Sequence, residues 1–357
     1  MSVLTARIRA VAGPAAGMPR VLPMTMLTST IQTQLPLLLR GPRVLSLGGG
    51  LDSWVMLLDA CKRANPEIEA VARDAELSGR SVAEVRELYR QADRSELPDV
   101  VVFVDVGHPD DPGEWPSTYR HVREVVEPYC AARGIAFVTI NHENYPVRDA
   151  RSLFAWLEAR KQIPVAGPNR VCTRIAKVER FEAWLDDTYP DQEVEVWIGF
   201  EAGEESRADK DPNAGKSRKP KAGQARRKNR FPLMEQGYCR CRCEAIARES
   251  GYAVPRKSAC TLCPYATKGD WQRLAVELPE TFAKIVKLEA DKPPTAKNGR
   301  KLSIMAYSSA TQSGTPLPEY VAKPYTRKKV GCKVCGAAER ATKATGCDYL
   351  EEGTVVP

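Results

Sequence analysis

A chain of 357 residues with 43% hydrophobic and 27% charged content can bury a sizeable core, as one large domain with appendages or as two. It contains no run of about 18 apolar residues, so no membrane-spanning helix is expected. Its eleven cysteines, with no secretory signal in view, point to reduced thiols in a cytoplasmic protein, some of them metal ligands, rather than to a disulfide scaffold. The formal charge of +8 is modest for this length, so where the cations sit matters more than their sum.

Residues 1–40 carry Arg7, Arg9, Arg20 and Arg40 and no acid, the first carboxylate of the chain being Asp52. Pro14, Gly17 and Pro19 interrupt any long helix, so this stretch reads as a flexible leader with a faint transit-peptide bias. From Arg43 the pattern alternates. Strands are expected at Val44–Leu47, Val100–Val104, Ile135–Ile140 and Val194–Ile198, and helices at Ser53–Ala64, Ser81–Ala92, Thr118–Arg133, Asp149–Lys161 and Thr173–Thr188. Short β-branched runs alternating with helices predict an α/β fold with a doubly wound parallel sheet, its ligands at the carboxyl ends of the strands.

The first strand, which includes Ser46, runs into Gly48-Gly49-Gly50-Leu51-Asp52-Ser53 and then a helix. Glycines let the backbone take positive φ and approach a ligand closely, and a helix start favours an anion, so phosphate is the natural guest. An ordinary βα turn capped by Asp52 or Ser53 is the plainer alternative. The stretch lacks the Lys of a Walker loop and the spacing of a dinucleotide fingerprint. The second strand ends in Asp105-Val-Gly107, where a carboxylate can bind a metal or a ribose or merely cap a helix. Arg170-Val-Cys172-Thr173-Arg174-Ile-Ala-Lys177 places cations at a helix start, where they oppose the dipole unless an anion compensates. The fourth strand leads to Gly199 and then to Glu204, Glu205 and Arg207.

Residues 210–230 include Lys216, Arg218, Lys219, Lys221, Arg226, Arg227, Lys228 and Arg230, a basic loop expected to be solvated or to meet a nucleic acid backbone, although no aromatic is interleaved to stack a base. Cys239, Cys241 and Cys243 follow, then Cys260-Thr-Leu-Cys263, a pair whose spacing lets two thiolates converge on one metal, Zn²⁺ or iron–sulfur. A single core helix is expected over Asp270–Glu289. The tail holds Cys332, Cys335 and Cys347, readable as a second small metal site, a persulfide relay or a redox pair, with Lys328, Lys329 and Lys333 beside them to favour thiolate.

Gly49, Gly50, Asp52 and Ser53 resemble the pyrophosphate loop of the adenine nucleotide alpha hydrolase superfamily, with Gly48 in place of its leading Ser. Asp105 through Tyr119, the Arg170–Lys177 stretch, Gly199 with Glu205 and Arg207, and the block from Pro232-Leu233 through Cys243, Ser258, Cys260, Cys263, Pro264, Tyr265 and Trp271 are similar to the phosphoadenosine phosphosulfate (PAPS) reductase branch, in the family's order. The resemblance implies a nucleotide-binding α/β domain over 41–209, a Cys-rich helical region over 231–290 completing it, and an extended tail over 291–357. It implies a nucleotide, ATP or PAPS, with Mg²⁺, held by Ser46, Gly48, Gly49, Gly50, Asp52, Ser53, Asp105, Gly107, Arg174, Lys177, Gly199, Glu205 and Arg207. It further implies a 4Fe–4S cluster on Cys172, Cys243, Cys260 and Cys263. Cys239 or Cys241 can substitute among those ligands, and Zn²⁺ is the other metal. The reaction it implies is adenylylation with pyrophosphate release followed by sulfur transfer, with Asp52, Ser53 and Asp105 in the chemistry. The alternative is reduction of a sulfonucleotide to sulfite by a nucleophilic Cys335 and a thioredoxin-like reductant, although the His of the reductases' terminal motif is missing. A non-catalytic nucleic-acid-binding protein that keeps the fold is a third reading.

Overall fold

The computed structural model describes residues 40–165, 170–211, 222–292, 304, 315–324 and 331–337. The leader up to residue 39, Lys216 to Lys221, and Cys347 lie outside them. A five-stranded, wholly parallel sheet forms the centre, in the order β3-β2-β1-β4-β5. Its strands are β1 (Arg43–Leu47), β2 (Val100–Val104), β3 (Ala136–Ile140), β4 (Glu193–Trp197) and β5 (Arg226–Arg230). The chain moves outward from β1 to β2 and β3, then returns to β4 on the other side of β1, so the strand order reverses between β1 and β4.

Helices α1 (Leu51–Ala64), α2 (Pro66–Leu77) and α3 (Val82–Leu88) join β1 to β2. After β2 come α4 (Pro116–His121) and α5 (Glu127–Ala132), continuous through a π-helical turn at Val122–Val126. Between β3 and β4 lie α6 (Leu153–Ala159), a single turn at Val171–Thr173, a second π-helical turn at Arg174–Val178, and α7 (Glu179–Thr188). Period-two alternation in the strands builds two separate cores. Leu45, Leu47, Val101 and Phe103 face Trp54, Leu57 and Leu58 of α1, whereas Val44, Val100, Val102, Val194 and Val196 face Phe181, Trp184 and Leu185 of α7. Both faces of the sheet are therefore covered, as the run of apolar residues in β2 requires.

Helix α8 (Glu205–Ala208) lies between β4 and β5, and after β5 come α9 (Pro232–Glu235), α10 (Arg240–Glu249), α11 (Lys268–Glu277), α12 (Pro279–Asp291) and α13 (Leu317–Ala322). The long helix expected over Asp270–Glu289 is two helices. Leu278 leaves helical geometry, with φ −136° and ψ 62°, because Pro279 restricts the residue before it. Their apolar faces, with Trp271, Leu274, Ile285 and Leu288, join Trp156, Leu157 and Ile175 in a third core.

The basic run is also corrected in part. Arg226–Arg230 is not loop but the outermost strand, parallel to β4, and Arg227 and Arg230 find partners within the protein. Arg230 pairs with Glu235 at 2.8 Å, and Arg227 lies 3.8 Å from Glu182 and over the Phe181 ring. A strand this charged suits an exposed sheet edge, where it discourages pairing with another chain. None of the helices among the described residues is long and apolar enough to cross a membrane.

Candidate functional site

β1 delivers the glycine loop to the carboxyl end of the sheet, at the reversal of strand order. Gly49 has φ +68°, and a Cβ there would lie 2.6 Å from Thr118 Cγ2 of α4, so both its backbone angle and its surroundings demand glycine. A Cβ on Gly50 would meet Ser258 Oγ at 2.5 Å, and one on Gly199, just beyond β4, would meet the Ser53 backbone nitrogen at 3.0 Å. The loop is thus clasped by α4, by the segment leading to Cys260 and by the end of β4, while Gly48 stays exposed. Ser53 is buried and braces the turn: its hydroxyl donates to the Gly50 carbonyl at 3.3 Å and accepts from the Gly48 N–H at 3.1 Å. Ser46 lies upstream in β1, in register with Val102 of β2.

Asp52, in the first turn of α1, accepts a 2.8 Å charge-assisted bond from Arg240 Nη2. Arg240 is 4% exposed at the start of α10, and its Nε stands 3.4 Å from the fully buried Glu201. Two carboxylates approach one guanidinium directly behind the loop. Sequence reasoning missed Arg240 and Glu201. Arg240 sits inside the Cys239–Cys243 run, where the cysteines drew the attention, and Glu201 lies between glycines with nothing local to mark it.

Asp105 holds its surroundings together. Its Oδ1 accepts from Tyr119 O–H at 2.6 Å and from the Gly107 N–H at 2.9 Å, an Asx-type turn that fixes the strand end. A Cβ on Gly107 would lie 2.8 Å from the Gly113 Cα, so the two backbones touch there. This geometry gives Asp105 a positioning role in the loop after β2.

The segment after Gly113 bridges to the cysteine pair. Glu114 forms an antiparallel bridge with Cys260, and the Thr261 N–H donates to the Gly113 carbonyl at 2.7 Å. Glu114, 3% exposed, accepts from Lys177 Nζ at 2.8 Å. Lys177 belongs to the π-helical turn, an irregularity often found where a side chain must be aimed. Burial opposes its charge, yet Glu114 and the Cys260 thiol keep its pKa above the usual lysine value. Cys260 and Cys263 share a hydrogen bond. That bond, with the Tyr265 N–H and the nearby Lys257 and Lys177 cations, brings Cys263 down to about 7 despite burial. Cys172 is in electrostatic contact with Cys263, its own pKa raised mainly by burial.

Cys243 lies apart from these three. It is fully buried in the core beneath α1, where burial first and Asp52 second push its thiol up to about 12. A second thiol group forms instead from Cys239, Cys241, Cys332 and Cys335, whose sulfurs all lie within 4.8 Å of one another. Cys335, expected as a nucleophile, is one of that quartet. Of the other expected nucleotide contacts, Arg174 is largely exposed and 3.7 Å from Glu179. Glu205 accepts the Gly203 N–H at 2.7 Å, and Arg207 pairs with Glu204 at 2.6 Å and covers the Phe200 ring. No protein-family model, curated protein or solved structure matches the chain.

Proposed function

We propose that the chain is a nucleotide-binding enzyme of the PAPS-reductase-like, pyrophosphate-loop kind that uses ATP to activate an acceptor for sulfur transfer. The observation that carries this reading is the placement of the glycine loop. It ends the central strand of a parallel sheet at the point where strand order reverses, with Gly199 of the returning strand against it, and open α/β sheets bind their ligands in that crevice. Main-chain N–H groups at the head of α1 would receive the phosphates. Mg²⁺ would arrive on the triphosphate.

In the proposed reaction an acceptor oxygen attacks the α-phosphorus, the bond to the leaving pyrophosphate breaks, and the acceptor's proton passes to solvent or to a nearby base. A sulfur nucleophile then displaces AMP from the adenylylated acceptor. Loop amides act on the charge that develops on pyrophosphate. The family resemblance makes Cys172, Cys260 and Cys263 three ligands of an iron–sulfur cluster; bound there, the cluster would hold or deliver sulfur. Cys243, the fourth ligand that the resemblance implies, belongs to a different core cluster from Cys172 and Cys260.

The test is anaerobically purified full-length protein with MgATP, with or without nucleic acid, set beside PAPS with thioredoxin. Pyrophosphate release that is lost in Asp52→Ala supports the proposal. Sulfite formed from PAPS would replace it with the reductase reading, and nucleotide binding without turnover with a non-catalytic one.

A further inference from the structure

The second thiol group lies where three parts of the chain meet. Cys239 and Cys241 sit at the head of α10, with Cys239 as its N-cap. Cys332 and Cys335 come from the turn at residues 331–337, far downstream in sequence. That turn is folded back on itself, with the Gly336 N–H donating to the Cys332 carbonyl at 3.0 Å and the Cys332 N–H to the Ala337 carbonyl at 2.8 Å. Gly336 follows Cys335 at φ +73°, and the backbone N–H groups of Val334 and Cys335 hydrogen-bond the Cys332 sulfur. A C-x-x-C-G turn whose amides point at its first sulfur presents both thiolates to one side, as a metal knuckle does. The third part is the loop after β4: a Cβ on Gly203 would lie 3.3 Å from Val334 Cγ2, and the Ala202 N–H donates to the Tyr238 carbonyl at 2.8 Å.

We propose that Cys239, Cys241, Cys332 and Cys335 form a structural Zn²⁺ site that clasps the C-terminal turn onto the head of α10, separate from the Cys260–Cys263 centre. Four sulfurs on a tetrahedral zinc, each at about 2.3 Å from the metal, stand about 3.8 Å apart, within the 4.8 Å limit that all four thiols meet. A four-iron cluster binds each thiolate to a different iron and needs a wider spacing. Cys239 and Cys332 are buried and Cys241 half-buried, which protects the bonds, while four protein thiolates leave no open position for substrate. Arg240 stands between two of the ligands in sequence and pairs with Asp52, so zinc at this site also sets the register of the residue that holds the first turn of α1.

The experiment is metal analysis of full-length protein purified without added metal, on the wild type and on C332S, C335S and C260S. Roughly one zinc per chain is expected in the wild type and in C260S, falling at least tenfold in C332S and C335S. Should those variants fold poorly, Co²⁺ titrated into chelator-treated wild type gives a second measurement: the intense visible bands of tetrahedral tetrathiolate cobalt support the site. Zinc retained in C332S and C335S overturns the inference, as does iron lost in its place or disulfides among these four cysteines. None of these readouts depends on turnover, so failure of the ATP chemistry leaves the zinc question to be decided separately.

Discussion

Two buried arginines in this protein make opposite use of their partners. Arg133, wholly buried at the end of α5, has Nε and Nη2 on Glu69 at 2.9 and 2.6 Å and Nη1 on Glu76 at 2.7 Å, and its guanidinium lies 3.3 Å from the centre of the Tyr129 ring. Arg240 is nearly as buried but has one short bond, to Asp52, and only a 3.4 Å approach to Glu201 that is not aligned as a hydrogen bond. The first cluster is saturated and pins α2 to α5. The second, beside the glycine loop, holds its guanidinium by fewer aligned bonds.

Breaking the saturated cluster has the largest expected effect. Arg133→Met removes the buried cation that Glu69 and Glu76 share and should cost about 3–5 kcal/mol in urea unfolding, with ATP affinity unchanged in whatever fraction remains folded. Equal loss of ATP binding would undo the contrast. On the same side of the molecule His121 packs edge-on against Trp54, and burial lowers its pKa from 6.5 to about 4. The unfolded chain takes up that proton first, so stability should fall as pH drops from about 6.5 to 4, by on the order of 3 kcal/mol. His121→Phe should flatten that acid limb in pH-dependent melts; an unaltered limb would assign it to other groups.

Arg240→Gln sharpens the comparison from the other side. About 2 kcal/mol of stability should be lost, less than at Arg133 because Asp52 keeps some solvent. Pyrophosphate release should fall roughly a hundredfold. The smallest effect is expected at Gly49→Ala, where positive φ and the Thr118 methyl together cost about 1–2 kcal/mol. Nucleotide affinity should drop with it, and an alanine variant that binds ATP as tightly as the wild type would remove the loop from the site.

The parallel sheet was legible because β1 to β4 are short, apolar and β-branched, a local signal that packing did not override. β5 was not: Arg-Arg-Lys-Asn-Arg has no strand propensity and becomes a strand only because β4 offers an edge and Asp211, Glu182 and Glu235 supply partners. The glycine loop could be read from its residues, since φ +68° leaves little choice of side chain. The split of the cysteines could not, because C-x-C and C-x-x-C spacing shows which thiols can share a metal and not which distant pairs meet. Cys332 and Cys335 join Cys239 and Cys241 through a return of the chain that no local pattern encodes.

Ser258, whose hydroxyl side chain faces the bare Cα of Gly50, is two residues from Cys260. That makes the glycine turn and the segment leading to Cys260 a single mechanical part: displacing one by an ångström pushes the other. Grafting the turn into a different protein would therefore require its small hydroxylated neighbour to travel with it.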